Sequence, residues 1–138
     1  MAGKIVADTL EHSTAGSVTT DHVVQGTTKA WCSHDSGTTV DDSHNLSSLS
    51  DDGTGLYTMS LTTSMGNALY IVLNCGAPHS SSPARSGNNF GLRSGNGTVD
   101  NRATGSVPVA SLTMSSGSAD ATLQDRNHIM HGIQGDLA

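Results

Sequence analysis

No eleven-residue window of this chain places apolar residues at i, i+3, i+4 and i+7 without a glycine or a Ser/Thr cluster breaking the series. Alternation with a period of two recurs instead. Residues that alternate put one set of side chains on each face of an extended strand. The sequence therefore predicts strands and turns, and no helix.

Several stretches carry the alternation. In "ALYIVLNC", residues 68–75, Leu69, Ile71, Leu73 and Cys75 share one face while Tyr70 and Val72 share the other. Apolar groups on both faces predict a central strand of a sandwich. "LYTMSL" sets Tyr57, Met59 and Leu61 against Thr58 and Ser60, and "TTKAWCS" sets Thr28, Ala30 and Cys32 against Lys29 and Trp31. "HIMHGIQ" aligns Ile129, His131 and Ile133. "VPVASLTM" carries a proline near its start, which predicts an edge or entry position. With "KIVAD" and "SVTTDHVV", about eight short strands emerge between Gly/Ser/Asn/Asp turns, the spacing of an antiparallel all-β sandwich or jelly roll. At 138 residues the chain is expected to be one such domain, with residues 1–25 forming an N-terminal arm and the first strands.

Residues 76–105 break the pattern. The stretch is polar and holds two of the three prolines and three of the four arginines. It reads as a loop too long for an ordinary connection: functional, docked on a partner or disordered. With Phe90 and Leu92 set among small polar residues, it is the stretch best suited to reach for a neighbour.

The core must be thin. Only 34% of residues are hydrophobic and 3% aromatic, with one Trp and one Phe. Burial of so little apolar surface offsets poorly a backbone entropy cost of roughly 1–2 kcal/mol per residue. Ordinary disorder pairs low hydrophobicity with high charge, and only 13% of these residues are charged. The expectation is a subunit that buries further surface against copies of itself or a larger assembly. Net charge is −6 with six Lys and Arg, so the cationic footprint that nucleic acid requires is missing. No apolar run is long enough for a membrane span, and "MAGKIVADTLEHSTAG" lacks the apolar segment of a signal peptide. Cys32 and Cys75 are read as free thiols, a disulfide being the alternative.

Candidate chemistry is sparse. Seven histidines invite a metal, yet His128 and His131 lie an odd number of residues apart and point to opposite faces of a strand. Cys32 and His34 share a face, but a structural zinc site needs four ligands in paired spacings, and no second pair is present. An oligomer axis is the remaining way to gather histidines. No Gly-x-Ser-x-Gly elbow and no phosphate-cradling motif occurs, and four aromatics cannot line a glycan cleft, so no catalytic, cofactor or metal site is expected. The sequons at Asn45 and Asn96 are chance matches in a Ser/Thr-rich chain.

"SHNLSSLSDDGTGLYTMSL", residues 43–61, raises calcium. A helix-loop-helix calcium site closes on a glutamate at its twelfth position, where this chain has Thr62. Asp52-Gly53 and Gly55 instead suit the left-handed positions of a hairpin turn.

This hairpin, together with "KIVADTLEHSTAGSVTT" and "VVQGTTKAWCSHDSGTT", resembles a module of tailed-phage virion structural proteins, of the tail-fibre and decoration kind common in marine phages. Lys29, Ala30 and Trp31 match, as do Asn45, Ser47, Ser48, Asp51, Gly53, Gly55, Tyr57 and Thr58. The likeness covers residues 3–73, and "HIMHGIQGDLA" fits a family final strand only loosely. His34 departs from the family, standing near the place where an aromatic usually follows the tryptophan strand. The resemblance implies a non-enzymatic β-sandwich on the exterior of a phage particle, made in the host cytoplasm and homotrimeric. Its partners would be other copies and the major capsid protein lattice, as a decoration or cement protein that reinforces the head. The alternative is a tail-fibre or spike protein that sits on tail or baseplate proteins and binds a host surface glycan or receptor. The chain shows no heptads or collagen-like triplets for a shaft, which favours decoration. The N-terminal arm or the 76–105 loop would anchor it.

Overall fold

The computed structural model describes residues 3, 6–76, 88–92, 94–95, 99–100, 102–114 and 121–138. Among them, thirteen strands and one helix follow in order. The strands are β1 (Thr9–His12), β2 (Gly16–Thr19), β3 (Thr28–His34), β4 (Val40–His44), β5 (Leu46–Gly53), β6 (Leu56–Leu61) and β7 (Ile71–Gly76). They continue with β8 (Asn88–Leu92), β9 (Ser94–Gly95), β10 (Val99–Asp100), β11 (Ser106–Met114), β12 (Ala121–Leu123) and β13 (Ile129–Gln134). Helix α1 (Thr20–Gly26) lies between β2 and β3. The fold is an all-β sandwich of antiparallel sheets.

Two sheets enclose the core. One runs β4-β3-β13-β7; the other runs β12-β11-β6-β5, with β8 also paired to β11. Alternation decides what each contributes. β3 buries Ala30, Cys32 and His34, and its neighbour β13 buries Ile129, His131 and Ile133. From the facing sheet come Tyr57, Met59 and Leu61 of β6 with Val107 and Val109 of β11. Met65 and Tyr70 close one side of the same cluster.

Strand β11 organises the larger sheet. One edge pairs with β8 through Thr113 to Val109. The other edge is shared, β6 pairing residues 106–110 and β12 residues 112–114. Ser111 stands where one partner gives way to the next, donating its N–H to the Gly55 carbonyl at 2.7 Å and accepting from the Gln124 N–H at 3.0 Å.

Several sequence expectations are corrected. β11 is a central strand, not an edge. Ser111 turns its N–H toward the β6 side, so the nitrogen of Pro108, three residues back, faces the other side. β8 ends there, with Leu92 opposite Val109, and the ladder donor that proline lacks is not called for. "ALYIVLNC" is not central either: β7 begins at Ile71 and forms the end of its sheet, pairing only with β13 among the described residues. The predicted strand over residues 17–24 stops at Thr19, which caps α1 by accepting the His22 N–H on its side-chain oxygen at 3.4 Å. Seven residues make fewer than two turns, too few to show a helical period. The first strand starts at Thr9 rather than within "KIVAD", of which Lys4 and Ile5 lie outside the described residues.

The 76–105 loop also needs correction. It contains β8, β9 and β10, and Phe90 and Leu92 are ladder positions opposite Ser111 and Val109. Asn-Asn-Phe-Gly-Leu has little strand propensity of its own, and the free edge of β11 supplies the pairing. Residues 77–87, 93, 96–98 and 101 of that stretch lie outside the described residues, and with them the sequon at Asn96, Pro78, Pro83 and Arg93.

Candidate functional site: a buried imidazole pair and an unpacked arm

β3 and β13 are hydrogen-bonded neighbours whose inner positions alternate in step. Ile129 lies opposite His34, and His131 opposite Cys32. His34 and His131 therefore approach diagonally on one face, both enclosed by the facing sheet. Their Nε2 atoms are 3.3 Å apart, and the ring centroids 5.3 Å. His34 Nδ1 lies 2.7 Å from the Asp35 carbonyl oxygen, and His131 Nδ1 lies 2.6 Å from the side-chain amide of Asn74 on β7. Tyr57 of the opposite sheet sets its ring edge-on to His34 at 4.7 Å.

Burial dominates the electrostatics. Desolvation lowers His34 below the ordinary histidine range, although the Asp35 and Gly37 backbone and the Asp35 and Asp41 carboxylates act the other way. His131 is pushed down to about 3, by burial first and by the neighbouring His34 second. Both rings are neutral at pH 7.

Cys32, His131 and Asn74 have the residue types of a thiol nucleophile, its base and an orienting amide. The geometry does not assemble them. His131 spends its Nε2 on His34, and no hydrogen bond joins the Cys32 thiol to either ring. Burial, helped by the Asp41 charge, pushes that thiol up to about 11, so at neutral pH it is a small buried hydrophobe. Cys75 is exposed on the far side of the sheet, opposite Met130, and the two cysteines are free.

Other sequence candidates are placed as follows. His128 stands apart from His131, exposed before β13, with Nδ1 3.8 Å from Asp41. Asp51 and Asp52 lie in the β5–β6 hairpin. Asp51 accepts the Gly53 N–H at 2.9 Å and Asp52 the Thr58 hydroxyl at 2.6 Å, while Gly53 and Gly55 take φ of +130° and +63°. Asn45, the other sequon, spends both ends of its amide on the Thr63 backbone, at 3.0 and 2.7 Å. No group of three or more metal-ligating side chains occurs among the described residues.

Asp125 is a residue the sequence did not flag. Its carboxylate accepts the Gly55 N–H at 2.6 Å and the Tyr57 hydroxyl at 3.2 Å, tying the hairpin to the stretch before β13. Asp125→Ala leaves a half-enclosed backbone donor unmet, so a loss of about 1–3 kcal/mol in urea unfolding at pH 7 is expected.

Two surfaces are less well covered. On the outer face of the smaller sheet, Trp31, Gly132 and Leu73 form a row across three strands. Gly132 carries no side chain, and a groove lined by Trp31, Leu73, Cys75 and Met130 opens above it. Beyond it, Ile71 and Leu69 are 60% and 85% exposed. The second surface is the stretch 9–26, in which the β1–β2 hairpin and α1 bury no residue at all. Leu10 and Val18 are directly paired across the hairpin and both lie exposed.

No family model, no curated protein and no solved structure matches this chain.

Proposed function

We propose that the protein is a non-enzymatic structural subunit of a tailed-phage particle: a homotrimeric decoration protein that binds the outside of the head and reinforces the capsid lattice. The observation that supports this most is the N-terminal arm. A lone two-stranded hairpin is marginal in water, and a seven-residue helix is well below the length at which isolated helices persist. An arm that holds both without burying a residue gains its stability by docking on a neighbouring copy. Its paired Leu10 and Val18 form the apolar side that such a neighbour covers. The phage assignment itself rests on the hairpin and tryptophan-strand motifs, and the capsid lattice is the partner it names.

On this reading, light scattering of the purified chain gives the mass of a trimer. Leu10→Asp with Val18→Asp shifts it to monomer while β-sheet circular dichroism is retained. A monomeric wild-type chain overturns the trimer. Antibody labelling of particles distinguishes the two phage roles. Label over the head is the expected result, and label confined to the tail replaces decoration with the fibre or spike reading.

A further inference from the structure

We propose that the His34–His131 pair is an acid-opened latch, which holds the edge strand β7 and the turn after β3 onto the sheet and releases them when both rings take up protons. The inference goes beyond the structural role above and does not depend on it.

Hydrogen-bond directions carry the argument. A backbone carbonyl only accepts, so His34 donates its Nδ1–H to Asp35 and its neutral Nε2 carries a lone pair. His131 must then donate its Nε2–H across the 3.3 Å gap, which leaves its own Nδ1 as an acceptor. Asn74 lies with its Oδ1 2.6 Å from that nitrogen. The neutral pair requires the amide turned about, with the NH2 toward His131, the two ends of an amide being interchangeable in place. Three bonds thus run in one direction, from β7 through β13 and β3 to the turn.

One added proton finds a hydrogen-bond partner, since on His131 Nδ1 the Asn74 Oδ1 at 2.6 Å accepts it, although burial holds it off until about pH 3. A second proton has only His34 Nε2 to go to, where it sets two N–H groups and two positive charges face to face. The Asp35 and Asp41 carboxylates offset them only in part, burial outweighing both. Cys32 on β3 and Tyr57 on β6 are neutral groups, as is Asn74 on β7. The Asp35 carboxylate is turned away to the backbone N–H groups of Gly37 and Thr39, at 2.8 and 3.2 Å. Asp41 of β4 is exposed and faces His128. Asp125 reaches only the far end of Tyr57. Among the described residues no carboxylate touches either ring.

The direction of the pH effect follows. Unfolded histidines take up protons near their ordinary value of about 6.5, whereas both folded rings resist protonation, His131 down to about 3. Stability from the neutral pair is complete above that ordinary value and is lost progressively as pH falls from it toward the lowered folded values.

The test is urea unfolding between pH 8 and pH 4 of the wild type, His34→Gln, His131→Gln and the exposed control His128→Gln. Every variant keeps the same carboxylates, and His128→Gln reports what the loss of one surface histidine does by itself, so differences from it isolate the pair. Below pH 6 the wild-type unfolding constant should rise more steeply than that of either latch variant, by up to about tenfold per pH unit, with His128→Gln following the wild type. Equal slopes in all four overturn the proposal. Should the latch variants not fold, imidazole nitrogen NMR of the wild type decides. Neutral His34 and His131 at pH 5, with β7 amides exchanging faster than those of β6 as the acid is increased, support the latch. Rings that both protonate near pH 6.5 with β7 protection unchanged overturn it.

Discussion

Gly55→Ala is expected to be the most damaging small substitution in the chain, with a loss of about 4 kcal/mol in urea unfolding. Two causes add. At φ of +63° the residue sits in the left-handed region, where a side chain is strained. A Cβ there would also lie 2.5 Å from the Ser111 carbonyl oxygen and 2.6 Å from the Gln124 nitrogen. Both are backbone atoms at the junction where β11 passes from β6 to β12, and neither can yield without opening the sheet. Gly53→Ala is the comparison. Its φ of +130° is strained as well, but the space around it is open, so about 1–3 kcal/mol is expected. Equal losses for the two would show that the contact at Ser111 carries no weight.

Tyr57→Ala should cost nearly as much, about 3–5 kcal/mol by the same measurement. The ring is wholly enclosed between the sheets, and a chain with two tyrosines, one tryptophan and one phenylalanine has little else to refill the space. The hydroxyl adds a smaller share. It donates toward the Ser36 carbonyl at 2.9 Å and the Asp125 carboxylate at 3.2 Å, and burial with the Asp125 charge raises its pKa so that it stays a phenol. Tyr57→Phe keeps the ring against His34 and should cost only about 1 kcal/mol. A Phe variant as weak as the Ala variant would place the energy in the hydroxyl rather than in packing.

Local alternation was a good guide wherever polar and apolar residues truly alternate. Tyr57, Met59 and Leu61 are buried, as are Ile129, His131 and Ile133, on the faces the spacing assigned. It misled where both faces are apolar. In residues 69–75 three aliphatic side chains, Leu69, Ile71 and Leu73, point outward, and Tyr70 and Val72 point in. Periodicity states that two faces differ and is silent on which one the rest of the chain will cover. The helix escaped notice because seven residues cannot display a 3.6-residue period, though Thr19 before Asp21 is a capping signal. Arg126 is nearly wholly buried, its Nη2 donating to the Leu112 carbonyl at 3.1 Å, against the usual exposure of arginine.

The imidazole pair was half legible. His34 follows Ala30 and Cys32 at core spacing, and His131 lies between Ile129 and Ile133, so each could be read as facing inward. That they meet depends on β3 pairing with β13 across 97 residues of chain, and no local pattern encodes that register. Asp125 was invisible for the same reason, since its partners Gly55 and Tyr57 are 70 and 68 residues away.

The handover at Ser111 also bears on the order in which the chain assembles. β12 spans three residues, and Gln124 just beyond it bonds to the residue that Gly55 also engages. The closed β5–β6 hairpin is therefore part of the template on which β12 docks. Hairpin closure is local and fast, on the order of microseconds, while bringing β11 and β12 alongside it waits for the long stretch between β6 and β11 to return. The last stretch of chain thus settles into a seat that the middle has already built, and a hairpin closed one residue out of step would leave that seat the wrong shape.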